Sequence, residues 1–156
     1  MSGEKWNSLG SVIAMRNLCT LLVLLALPLA AEKKVISPPE FAGGTANFSP
    51  GILVDGTLYI SGQIGQDLKT KQVPADFETE VKTLLNNIGI VLKAAGMTYK
   101  DAVSVQVYLT DIELFQRMNA VYTTFFPDPR PTRTTVGVTK LAAPTAHIEI
   151  TVTARK

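Results

Sequence analysis

Two side chains are at odds with the strand-like segments that carry them. Arg133 lies in PRPTRTTVGV among threonines, valines and a glycine, and Glu149 is the only acid in the last 28 residues. A guanidinium offers a carboxylate planar two-point donation that an ammonium cannot match. An acid in mid-strand is disfavoured, so Glu149 needs a reason. In a cleft near the arginine it would be a general acid or base. Each residue also has a plainer reading, as a solvated Arg on a strand edge and a solvent-facing Glu on an edge strand. Alternation pairs Arg133 with Thr135 and sets both against Val136 and Val138. Other catalytic patterns are absent: there is no Gly-X-Gly-X-X-Gly, P-loop, Gly-X-Ser-X-Gly or metalloprotease helix. Ser61-Gly62-Gln63 lacks the second small residue of a nucleophile elbow. A Ser-His-Asp triad would have to use His147, which falls in a predicted β-ladder.

The elements that must position these residues follow from hydrophobic periodicity. Lys34 onward predicts a strand fragment and a loose loop through Gly43-Gly44. Gly51 to Ile60 places two apolar runs around Asp55-Gly56, a strong hairpin signal, with strands at about 51–54 and 57–62. Val81, Leu84, Leu85, Ile88, Val91, Leu92 and Ala95 fall on one helical face over 76–95. Asp76 can cap that helix and Gly96 ends it. Gly89 costs it about 1 kcal/mol unless a close neighbour needs the space. In 102–110, Val103, Val105, Val107 and Leu109 face one way, and Ser104, Gln106 and Tyr108 the other. A second helix over 112–125 turns Leu114, Met118, Val121 and Phe125 inward and is stopped by Pro127, Pro129 and Pro131. Strands at about 132–139 and 146–154 close the chain, with Ile148, Ile150, Val152 and Ala154 alternating with His147, Glu149, Thr151 and Thr153. The order β-β-α-β-α-β-β predicts an α+β domain: one mixed sheet with both helices on one face. The other face then carries Gln106, Tyr108, His147, Glu149 and Thr151, a half-polar surface that invites oligomerisation.

The chain has 156 residues, 46% hydrophobic and 18% charged, enough for one core. Fifteen basic against thirteen acidic residues, a formal +2, with no basic stripe, argue against a dedicated nucleic-acid binder. One cysteine and one histidine exclude a Cys-cluster or His-X-X-X-His metal site. Leu18 to Ala31 is 14 residues without a charge. That is short for a bilayer span but right for the apolar region of an export signal, and Ala30-Ala31 supplies small residues for cleavage. Residues 1–31 are therefore expected to be an N-terminal extension and signal peptide, starting at Met1 or Met15, with an uncleaved anchor as the alternative. The expected destination is the periplasm or the exterior. Residues 32–156 form the domain. Loss of Glu4, Lys5 and Arg16 leaves it 13 basic and 12 acidic residues.

GTLYISGQIG at 56–65, FQRMNAVYTTFF at 115–126, PTRTTVGV at 131–138 and HIEITVTA at 147–154 together resemble the RidA/YjgF family of reactive-intermediate deaminases. The resemblance covers nearly the whole of 32–156, in order and at close to the family's spacings. It implies a chorismate-mutase-like fold and a homotrimer with a barrel-like core and ligand clefts between subunits. It also implies hydrolysis of enamine and imine intermediates such as 2-aminoacrylate to 2-oxo acids and ammonia, without cofactor or metal. By the same resemblance Arg133 matches the arginine that holds the substrate carboxylate. Glu149 matches the carboxylate that positions or activates water, Thr135 a small polar or thiol residue beside the ligand, and Asn119 a helix asparagine near the cleft. Ser61 would border the same pocket. Phe48 stands where the deaminase branch has a tyrosine, Ala142 where it has a proline, and the loop from Leu141 to Glu149 is one residue longer. These departures keep two other readings open: a non-catalytic trimer that binds small carboxylates, and a protein-interaction or holdase-like member. No stable membrane partner is expected after signal cleavage.

Overall fold

The computed structural model describes residues 32–42 and 47–156. The expected extension and signal over 1–31 lie outside the described residues. The domain is one six-stranded mixed sheet with two α-helices packed on one face, as the element order predicts. The strands are β1 (Lys34–Ile36), β2 (Gly51–Val54), β3 (Thr57–Ile64), β4 (Ala102–Leu109), β5 (Thr132–Gly137) and β6 (Ile148–Arg155). The helices are α1 (Phe77–Ala94) and α2 (Phe115–Phe125). Sheet order is β1-β2-β3-β6-β4-β5. All pairs are antiparallel except β4 with β5. That parallel pair requires a crossover, and α2 supplies it. β3 and β4 also run the same way, with α1 crossing between them and the last strand, β6, inserted into the gap.

Local chemistry accounts for the boundaries. Asp55 and Gly56 both take positive φ, 49° and 71°, the conformation a two-residue hairpin demands. Asp76 caps α1 by accepting from the Thr79 amide at 2.8 Å. Gly96, at φ 71°, lets the helix end. Gly89 has the close neighbour that its helix position requires: a Cβ there would lie 3.4 Å from Tyr99 Oη. Tyr99 packs across that notch, donates to the Leu85 carbonyl and meets Phe125 and Phe126 edge-on. The second helical segment is a 3-10 turn at Ile112–Leu114, capped by Asp111, that runs into α2.

Two alternation readings are corrected. Val103 is 47% exposed, not inward with Val105. A bulge sets Ala102 opposite Ala154 but Ser104 opposite Thr153, so Val103 is the extra residue and parity flips there. His147 lies just before β6 rather than within the ladder, and its ring turns to Glu80 of α1 at 2.8 Å.

The core lies between sheet and helices. Leu58, Val107, Leu109, Ile148, Ile150 and Val152 meet Val81, Leu84, Leu85 and Ile88 with no exposure. Phe126, also fully buried, closes this core beyond α2. Phe126→Ala is expected to cost about 3–5 kcal/mol, read as a lower urea midpoint. A loss below about 1 kcal/mol would contradict the packing described.

Candidate functional site

Arg133 stands on edge strand β5 opposite Val105, with Thr135 opposite Val107. Both valines are buried toward the helices, so Arg133 and Thr135 face that way too. There α2 meets the guanidinium with three residues at helical spacing, Phe115, Asn119 and Tyr122. Asn119 Oδ1 accepts a hydrogen bond from Arg133 Nη1 at 2.8 Å. The guanidinium carbon lies 4.6 Å from the Tyr122 ring centre and 5.5 Å from that of Phe115. Cation–π contact of this kind is worth about 0.5–2 kcal/mol. The amide fixes one end of the fork and the rings its faces, while the residue as a whole stays exposed at the sheet edge. The hydroxyls of Tyr122 and Thr135 are buried and find no hydrogen-bond partner among the described residues. Burial raises the Tyr122 phenol above its ordinary pKa, and nearby Arg133 opposes that shift without reversing it.

Glu149 belongs to a different surface. Its neighbours Ile148 and Ile150 are fully buried against the helices, so Glu149 projects from the opposite face of the sheet, partly exposed. Its carboxylate rests over Gly62, where a Cβ would lie 1.9 Å from Glu149 Oε1. Gly62 sits in a bulge: Ile60 and Gln63 pair with Val152 and Ile150, three steps against two. Ser61, beside it, donates its amide to Pro50 O at 3.0 Å and its hydroxyl to Ser49 O at 2.5 Å. These bonds fasten the segment carrying Phe48 to β3. Phe48, 62% exposed, lines a cleft of about 440 Å³ with Pro50, Gly62, Gln63, Lys71 and Asn87.

The candidate residues thus form two groups. Arg133, Asn119 and Thr135 come together on one face; Glu149, Ser61 and Phe48 gather around Gly62. Within one chain Arg133 and Glu149 are not neighbours. Arg133 is in register with Val105 and Glu149 with Tyr108, and β4 lies between their strands. Three residues along and two strands across separate their backbones by about 14 Å, with the sheet between the side chains. Sequence reasoning missed Phe115, Tyr122 and Gly62. The i−4 and i+3 spacing from Asn119 could have found the two rings, but the bulge that makes Gly62 necessary has no local signature. Among the described residues no three His, Cys, Asp or Glu side chains come together to hold a metal.

Because the atoms nearest such a Cβ all belong to the Glu149 side chain, Gly62→Ala is expected to leave the fold intact and displace Glu149. A crystal structure of the variant should show the carboxylate rotated off residue 62. An unmoved Glu149 would contradict the contact.

Residues 41–156 match the family described as endoribonuclease L-PSP. A RutC family protein of Saccharolobus solfataricus is 44% identical, over 80% of this chain and 98% of its own. The 2-iminobutanoate/2-iminopropanoate deaminase of Rattus norvegicus is 39% identical, over 70% of this chain and 80% of its own. The crystal structure of E. coli TdcF with bound serine superposes with a TM-score of 0.72 at 29% identity, covering 79% of this chain and 98% of that one. A match of this extent, on the strands and helices just described, makes the chain a member of the endoribonuclease L-PSP (RidA) family.

Proposed function

We propose that the protein hydrolyses reactive enamines and imines of small 2-oxo acids to the 2-oxo acid and ammonia, in clefts between the subunits of a homotrimer. The observation that carries this reading is the preorganised guanidinium. One nitrogen of Arg133 is tied to Asn119 and its faces are held by two rings. No ion pair with a described carboxylate occupies it. The remaining edge suits a substrate carboxylate. The naming of relatives as deaminases agrees with it.

In the proposed reaction the enamine first tautomerises to the imine. Arg133 grips the carboxylate and holds C2 in a fixed plane. Glu149 accepts a proton from water as its oxygen bonds to C2. The tetrahedral intermediate takes that proton on nitrogen; its hydroxyl proton then passes through Glu149 to the same nitrogen, the C2–N bond breaks, and ammonia leaves as the carbonyl forms. No redox change occurs. The separation of Arg133 and Glu149 supports a site shared between chains, in which one chain gives the arginine group and its neighbour the Glu149–Gly62 group. The sheet face away from the helices supports assembly as well, since Tyr59, Val103 and Val136 expose 52%, 47% and 39% there. If residues 1–31 act as proposed for export, this chemistry occurs outside the cytosol.

Phe48 supports a second reading, since its ring carries no hydroxyl: a trimer that binds 2-oxo acids without turning over imines. The two are separated by following ammonia release from 2-aminoacrylate generated in situ from serine by a serine dehydratase. The deaminase reading expects accelerated release, reduced at least roughly tenfold in Arg133→Ala. No acceleration by a folded trimer that still binds a 2-oxo acid would overturn it in favour of the binding protein.

A further inference from the structure

Glu80 stands in the first turn of α1, fully buried, although a buried carboxylate is costly unless it is well bonded. Its partners come from a segment 67 residues away. Oε1 accepts the backbone amide of His147 at 2.7 Å, and Oε2 lies 2.8 Å from His147 Nδ1. The positive end of the α1 dipole adds to this support. Gly65, just past β3, makes room for the Glu80 backbone and the root of its side chain: a Cβ there would run into the Glu80 carbonyl oxygen and Cγ. His147 is held from the other side too, because the Thr110 amide, just past β4, donates to the His147 carbonyl at 3.0 Å. The peptide groups on both sides of His147 are therefore fixed, two residues before Glu149.

We infer that Glu80 is a positioning residue that sets Glu149 by clamping His147 where the chain enters β6. The inference rests on the proposed role of Glu149 in hydrolysis. It makes the placement of Glu149 independent of the loop that starts at Leu141. Ala146 is buried and bonded back to Ala143, so that loop closes before the clamp. From His147 onward the register is set by Glu80 and Thr110 rather than by loop length. A displacement of about 1 Å at a reacting group can cost about a hundredfold in rate, so such an anchor has a direct catalytic consequence.

The test uses the full chain and two readouts. In Glu80→Leu, hydrogen exchange at the His147 amide should accelerate at least roughly tenfold. Turnover of 2-aminoacrylate should fall in kcat by roughly tenfold, with KM within about threefold. Glu80→Gln, whose amide oxygen can still accept the His147 N–H, should bring both readouts to within about threefold of the parent protein. Leu92→Ala, a core change in the last turn of α1, should lower stability without lowering kcat below the melting range. If Glu80→Leu does not fold, Glu80→Asp replaces it, being too short to reach His147 while keeping the charge. Unchanged exchange at His147 overturns the clamp. Accelerated exchange with unchanged kcat, or a kcat loss equal in Glu80→Gln and Leu92→Ala, overturns the positioning role. Absence of deaminase activity in the parent protein counts against the proposed reaction instead, and exchange still decides the clamp.

Discussion

The insertion of β6 between β3 and β4 is the constraint on which the rest of the molecule depends. Both neighbours pair with it, so its backbone is bonded on both sides and its alternation is imposed twice. One parity, Ile148, Ile150, Val152 and Ala154, is fully buried under the helices. The other parity, which includes Glu149, must then emerge on the opposite face. A one-residue slip would bury Glu149 and expose four apolar side chains, so core formation and placement of the acid are one event. The bulges in β3 and β4 let these strands follow β6 with residues to spare, and the bulge in β3 is where Gly62 makes room for the carboxylate.

The same alternation puts Arg133 on the other side of the sheet. Its strand lies parallel to β4 at the edge, and its parity is that of Val105 and Val107. There it meets α2, whose aromatic and amide side chains have the spacing of a guanidinium cradle. The two groups of candidate residues are therefore both well formed and kept apart within the chain, for one geometric reason. The proposed assembly of copies would reconcile them, and the exposed apolar residues of the outer sheet face favour it.

Much of this was legible in the residues. Asp55-Gly56, the Asp76 cap, the apolar stripe of α1 and the alternation in β6 are local patterns, and each appears within a residue or two of its expected place. What was not legible depends on partners distant in sequence. Val103 faces outward because of a bulge against β6, which no pattern within 102–110 encodes. His147 leaves the ladder because Glu80, on a helix 67 residues earlier, offers it a buried carboxylate. Gly89 announces a close neighbour in the sequence, but not that the neighbour is Tyr99. Arg133 and Glu149 were recognisable as residues needing a reason, but their separation is a property of strand order, which alternation alone does not reveal.

The central claim, that one working site takes Arg133 from one chain and Glu149 from another, is tested most directly by subunit mixing. Arg133→Ala and Glu149→Gln proteins are each assayed alone for ammonia release from 2-aminoacrylate, then after co-expression, with mixed assemblies verified by native mass spectrometry. The account predicts two inactive parents and mixed trimers that regain activity, with about one quarter of sites intact at equal mixing. Verified mixed trimers with no recovered activity, from an active parent protein, would contradict it.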